Sequence, residues 1–167
     1  FSAEYVANEI EYLVKEYNVK TIGLWDDLFI LSKERIRQIL SLLEKKRILG
    51  KVSFQVEARS DLVDNELAQL LKYMNVTWVA MGLESGCPAT LEYLKGKKPT
   101  IDDHINAINI LNDNGLWIAS SFILGSPKES REDILQTIKF VKKYQLSAGV
   151  TCLLTPLPGT PLWDYAK

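Results

Sequence analysis

The feature that most restricts the fold of this chain is an alternation, sustained from end to end, of short β-rich runs and helical apolar periods. Ser2 can cap a helix on which Tyr5, Val6, Ile10, Leu13, Val14 and Tyr17 recur at helical spacing. A β-rich run over residues 20–25 follows and ends in Asp26-Asp27. Ser32 can cap the next helix, with Ile36, Ile39, Leu40 and Leu43 on its apolar face, and Gly50 is placed to end it. The pattern repeats with a strand at 52–56, a short helix from Asp64, and a strand at 76–81. Pro88 suits the first turn of a helix that breaks around residues 96–99. Thr100 with Asp103, and later Ser130 with Asp133, have the form of capping boxes. Strands at 117–124 and 150–154 complete the series, before a proline-glycine segment at 156–161 and a tail with Leu162 and Trp163.

Strands that alternate with helices over a βα-unit spacing predict an α/β fold with a parallel sheet and crossover helices. The strands are apolar on consecutive positions, which predicts that both sheet faces are covered. An open doubly wound sheet and a barrel satisfy this equally. At 167 residues, with no linker or low-complexity tract, residues 1–167 read as one domain.

The polar residues are placed unevenly. Four of the five strands run straight into polar or glycine-containing clusters: Asp26/Asp27, Glu57/Arg59, Glu84/Ser85/Gly86 and Gly125/Glu129. Taken singly, each is better explained as a helix cap or a turn. Four on one edge are harder to explain so, because that edge is where parallel βα folds bind ligands. Two adjacent carboxylates at Asp26-Asp27 suit an ammonium group or a metal. Arg59 is a planar fork suited to a carboxylate, with an ion pair to Glu57 or Asp61 as the equal alternative. Glu84 and Ser85 offer acceptors for ribose hydroxyls. Gly125 lets backbone approach an aromatic base, and Ile123 offers an apolar face.

Other signals exclude function classes. Net charge is -1 and the basic residues are scattered, so neither DNA nor an anionic membrane is an expected partner. Lys95-Gly96-Lys97-Lys98 reads as a solvated loop. Cys87 and Cys152 lack metal-ligand spacing and read as two free, buried thiols of a cytosolic protein. No run approaches the roughly 20 apolar residues of a membrane span. The start, Phe1-Ser2-Ala3-Glu4, is not a signal peptide. A chain that opens inside a helical pattern reads as trimmed, and its expected location is the cytoplasm. His104, the single histidine, is expected in a surface or capping role. Trp25, Trp78 and Trp117 are expected to pack in the core or under helices. No phosphate-cradling glycine loop is present.

In order along the chain stand Leu24-Trp25-Asp26-Asp27-Leu28-Phe29, Glu57-Ala58-Arg59-Ser60-Asp61-Leu62, Gly82-Leu83-Glu84-Ser85-Gly86, residues 122–130 and residues 155–162. Together these resemble the characteristic blocks of radical S-adenosylmethionine (radical SAM) proteins, above all the subgroup that often carries a cobalamin-binding domain upstream. The resemblance implies a partial (β/α)6 TIM-like barrel of parallel strands, with the family's first strand missing here. It implies that Asp26 and Asp27 match the second-strand motif at the methionine amino group, although many members have Gly-Gly-Glu there. It places Arg59 near the SAM carboxylate, Glu84 and Ser85 near the ribose and methionine, and Ile123 to Gly125 against adenine. Ser121 departs from the usual glycine of that last block. Glu129 is implied to orient its loop rather than touch ligand.

The family's Cys-x3-Cys-x2-Cys follows its first strand, and this chain has neither. Cys87 and Cys152 do not match those cysteines. The implied cofactors are SAM, a 4Fe-4S cluster whose ligands lie outside this chain, and cobalamin where the upstream domain exists. The implied activity is reductive cleavage of SAM to a 5′-deoxyadenosyl radical in the full-length parent, with an external electron donor and a small-molecule or otherwise unidentified substrate. The chain alone is expected to be inactive. The unpaired edge of its first strand is expected either to pair with another copy of the chain or to be buried by the chain's own terminal segment. Two other readings follow from the residues: a SAM- or nucleotide-binding module without redox chemistry, and an ordinary βα hydrolase or lyase.

Overall fold

Five strands lie side by side in chain order, every neighbouring pair parallel: β1 (Thr21–Leu24), β2 (Ser53–Ala58), β3 (Val76–Glu84), β4 (Trp117–Leu124) and β5 (Ser147–Leu153). The computed structural model describes every residue except Asp27, and the backbone alone of Ala148. Strand order separates the two architectures that the alternation left open. A doubly wound sheet reverses its order at a switch point. This sheet steps always to the same side, as a barrel wall does, and forms a curled half-barrel.

The helices are α1 (Ala3–Tyr17), α2 (Lys33–Lys45), α3 (Asn65–Tyr73), α4 (Pro88–Lys95), α5 (Ile101–Asp113), α6 (Arg131–Lys143) and α7 (Pro161–Ala166). Their starts follow the sequence. The side chains of Ser2, Ser32 and Asp64 each accept a backbone N–H three residues on. Thr100 with Asp103 and Ser130 with Asp133 close full capping boxes. Several boundaries differ from expectation, and β3 runs on to Glu84 rather than ending at 81. Helix α2 stops at Lys45, and Gly50, at φ 77°, serves the turn into β2 instead. Strand β5 begins at Ser147 rather than 150. The tail folds into α7, because Thr160 caps it and Pro161 sits in its first turn.

The two faces of the sheet are unlike. Phe54, Val56, Val79, Met81, Leu83 and Phe122 are buried on the helix side, with Ile36, Leu43, Leu67, Leu71, Ile108 and Leu111 in the same core. Each such side chain contributes on the order of 1.5–3 kcal/mol by leaving water. On the other face Gln55, Glu57, Trp78, Ala80, Gly82, Ser121 and Ile123 remain at least partly exposed. The expectation that both faces are covered is therefore corrected: β2 alternates strictly between half-exposed and buried residues. Among the described residues no helix is long and apolar enough to cross a membrane.

The capping box of α5 yields a pH prediction. Lys98 and Thr100 hold the Asp103 carboxyl at about 2, below its ordinary 3.8. A depressed carboxyl contributes stability fully present above the unfolded value and lost as pH falls through the folded one. Asp103→Asn should therefore be less stable than the parent at neutral pH, with the difference vanishing between pH 3.8 and about 2. Thr100→Ala should cost about 1 kcal/mol at neutral pH. Urea denaturation across that pH range measures both.

Candidate functional site at the strand ends

Parallel βα units deliver every strand to the same edge, and the polar clusters fall there. The end of β3 is built most elaborately. The β3–β4 register shifts between Gly82 and Glu84, a bulge that turns the strand as it ends. Glu84 then adopts φ 59°, a left-handed conformation costly for a side chain with a Cβ. Its carboxylate folds back over Gly82, where an added Cβ would lie 2.5 Å from Glu84 Oε1. Glycine at 82 is what gives the carboxylate its seat. The Glu84 side chain is 10% exposed and pairs with Lys95 Nζ at 2.8 Å.

The turn beyond Glu84 is held from behind. Ser85 is fully buried, its hydroxyl 3.0 Å from Thr137 Oγ1, and it accepts the Cys87 N–H at 3.0 Å. Gly86 N–H donates to Thr137 Oγ1 at 3.0 Å. Ser85 therefore braces the loop against α6 and is not presented to the open face.

The other strand ends complete the edge. Arg59 follows β2 and is gripped in bidentate fashion by Asp61, Nε to Oδ1 at 3.0 Å and Nη2 to Oδ2 at 2.6 Å. That contact raises the guanidinium pKa above its ordinary value. The ion-pair alternative weighed from sequence is thus realised with Asp61, not Glu57. Gly125 after β4 takes φ 84°, and its N–H donates to Glu129 Oε2 at 2.5 Å, as Ser126 N–H does at 3.2 Å. Glu129 orients this loop. Asp26 accepts the Leu28 N–H at 3.3 Å and meets Arg35 Nη1 at 3.4 Å, against α2. Asp27 lies outside the described residues.

A cavity of about 820 Å3 over the open face is lined by Arg59, Glu84 and Ile123 together with Trp25, Glu57 and Lys95. Asp26, Ser85, Gly125 and Glu129 are not among its lining residues. Ser121, read as a departure from glycine, lines it as well. An acidic group, a guanidinium and an apolar strip on one wall suit a ligand carrying hydroxyl or amine donors, a carboxylate and a flat apolar ring.

Sequence reasoning misplaced several residues. Lys95 is exposed, as expected of a solvated residue, but it is the last residue of α4 rather than part of a loop, and it pairs with Glu84, while Gly96 at φ 75° ends the helix behind it. That glycine was the available signal. Trp25 is 74% exposed and lies back over Gly23, where a Cβ would meet its Nε1 at 2.7 Å. Trp117 is also exposed, and Trp78 lines the cavity, so none of the three fills the helix-side core. Cys152 is exposed and lines the cavity, whereas Cys87 is buried, so only one of the two thiols is buried as expected. Leu153 and Leu157 are exposed and are not core residues. His104 is fully buried, not at the surface.

The two glycines of this turn should respond differently to alanine. At Gly86 a Cβ would meet Phe140 Cβ at 2.5 Å and the Thr137 backbone at 2.9 Å, so Gly86→Ala should cost about 1–3 kcal/mol in urea denaturation. At Gly82 the obstacle is the movable end of Glu84, so Gly82→Ala should cost less and displace the carboxylate instead.

Comparison with known proteins agrees with this geometry. Residues 1–141 match the family model described as the radical SAM superfamily. An uncharacterised methyltransferase of Pyrococcus horikoshii is 37% identical over 99% of this chain and 35% of its own length. An anaerobic magnesium-protoporphyrin IX monomethyl ester cyclase of Rubrivivax gelatinosus is 25% identical over 95% of the chain and 28% of its own length. The chain thus spans about a third of the length of the curated relatives it matches. Among solved structures, the radical SAM methyltransferase TsrM of Kitasatospora setae, with cobalamin and a [4Fe-4S] cluster bound, superposes with TM-score 0.77 at 21% identity, over 96% of this chain and 32% of that one. The chain belongs to the radical SAM superfamily.

Proposed function

We propose that this chain forms the SAM-binding wall of a radical SAM enzyme whose reaction is a methyl transfer. The observation that carries the binding role is the convergence of Arg59, Glu84 and Ile123 on one cavity at the C-terminal strand edge. Methyl transfer rests on the likeness to relatives named as methyltransferases.

SAM fits the residues present. Arg59 offers a fork for its carboxylate. Glu84, seated over bare Gly82, offers acceptor oxygens to ribose hydroxyls or the amine. Ile123 gives adenine an apolar surface, and the Gly125 backbone, fixed by Glu129, shapes the rim. Asp26 and Asp27 are proposed at the methionine amine, and Ser85 supports Glu84 from behind. An iron-sulfur cluster does not fit this chain's own groups: among the described residues no three His, Cys, Asp or Glu side chains converge. The reading therefore assigns the cluster's ligands, and any cobalamin domain, to residues outside this chain. When bound beside a reduced cluster, SAM supplies a 5′-deoxyadenosyl radical. The work of this chain is to orient SAM and shield it from water. An external electron donor, a small-molecule substrate and a cytoplasmic location belong to the same proposal. The location is supported by the two free thiols.

Equilibrium dialysis of the chain with SAM tests the binding role. The expected result is saturable binding, weakened about tenfold or more by Arg59→Ala. Absence of binding, or indifference to Arg59→Ala, would sink the reading. Among the described residues strand β1 pairs on one side only, with β2. Self-association through that edge is a companion proposal. Light scattering that returns a monomer at all concentrations would reject it.

A further inference from the structure

His104 is the residue whose placement the SAM-binding role leaves unexplained. It lies in the first turn of α5, fully buried, with both ring nitrogens engaged. Nδ1 lies 2.7 Å from Ser60 Oγ, and Nε2 lies 3.0 Å from the Leu83 carbonyl oxygen. A carbonyl only accepts, so Nε2 carries the hydrogen. In a neutral ring Nδ1 then accepts the Ser60 hydroxyl proton. Burial pushes the ring pKa below its ordinary 6.5, which keeps it neutral. Phe140 stands edge-on to the ring at 6.5 Å and closes the site from α6.

The two partners are the chain neighbours of two wall residues. Ser60 follows Arg59 and opens the 3-10 turn Ser60–Leu62, and Leu83 precedes Glu84. Ser60 is itself buried, so neither bond competes with water. Arg59 directly follows β2 and Glu84 ends β3, and the described register of these neighbouring strands ends at Ala58 and Met81, before either residue. Sheet hydrogen bonds therefore stop short of fixing their spacing. Glu84 in addition holds a left-handed conformation, which persists only where its surroundings enforce it. We infer that His104 is a positioning residue, a bolt that joins the Arg59 turn to the end of β3 and so sets the spacing of the groups that receive the amino-acid and ribose parts of SAM. This inference rests on the SAM-binding reading of the same wall.

The bolt has two arms that can be cut separately. Ser60→Ala removes the arm to the Arg59 turn and keeps the bond to Leu83. His104→Leu removes both. His104→Gln can keep a donor toward Leu83. The probes are SAM and 5′-methylthioadenosine, which retains adenine, ribose and sulfur but lacks the amino-acid end. Calorimetric titration of the chain should show Ser60→Ala weakening SAM about tenfold while methylthioadenosine binds as to the parent. His104→Leu should weaken both, and His104→Gln should restore methylthioadenosine. A purely structural role would lower both ligands together in Ser60→Ala, and that result, or unchanged SAM affinity, overturns the inference alone. Should His104→Leu fail to fold, Ser60→Ala decides. If the parent binds neither ligand, the SAM-binding reading falls and the inference falls with it.

Discussion

The conformation of Glu84 is the constraint on which the rest of the site depends. A glutamate at positive φ is unfavourable in isolation, by on the order of 1–3 kcal/mol. The surrounding hydrogen bonds hold it from three directions: His104 on the carbonyl before it, Thr137 on the residues after it, and Lys95 on its carboxylate. Two glycines make those contacts sterically feasible. Gly82 leaves room for the carboxylate in front, and Gly86 lets α6 approach behind. The short run 82–86 therefore reads as one device: bulge, strained acid, buried serine and a glycine for close packing.

Parallel strands in sequential order give this device its neighbours. Because each βα unit returns the chain to the same side, the ends of β2, β3 and β4 arrive together without any loop having to reach across. The helix side of the sheet supplies the apolar burial, and the open side is left for polar and aromatic groups. Stability and site are thus divided between alternate residues of the same strands, which is why Val79, Met81 and Leu83 are core while Trp78, Ala80 and Gly82 are not fully buried.

Much of this was legible in the sequence, for local reasons. Caps need only a side chain and an N–H three residues apart, and Ser2, Ser32, Asp64, Thr100 and Ser130 were all readable. The edge carrying Arg59, Glu84 and Glu129 followed from strand direction alone. What escaped was tertiary. His104 looked like a first-turn polar residue because its partners lie 44 and 21 positions away. The ion pair of the exposed Lys95 was not visible because its partner Glu84 is on another element. The consecutive apolar residues of the strands implied two covered faces. The small residues Gly23, Ala80, Gly82 and Ala119 were the overlooked sign of a face left open, since they make room over the sheet rather than fill it.

The charges of the wall are already paired, and this shapes how a ligand can be taken up. Arg59 is held by Asp61 and Glu84 by Lys95. A ligand with a carboxylate and an amine cannot simply add its attraction to a bare site. Its carboxylate must share or replace Asp61, and its donors must share or replace Lys95. Each exchange trades one ion pair for another, so the net gain is smaller than a new pair would give. Both exchanges involve a covered acid: Arg59 is half-exposed, but the side chain of its partner Asp61 is only 14% exposed, and that of Glu84 10%. An acid so covered must keep a partner throughout. Donors that bond to Glu84 without expelling Lys95 are therefore favoured over a second cation, which would have to displace it. Ribose hydroxyls meet that requirement better than an ammonium group does, which favours the proposed placing of the sugar at Glu84, and a ligand carboxylate proposed at Arg59 has to share the guanidinium with Asp61 rather than replace it.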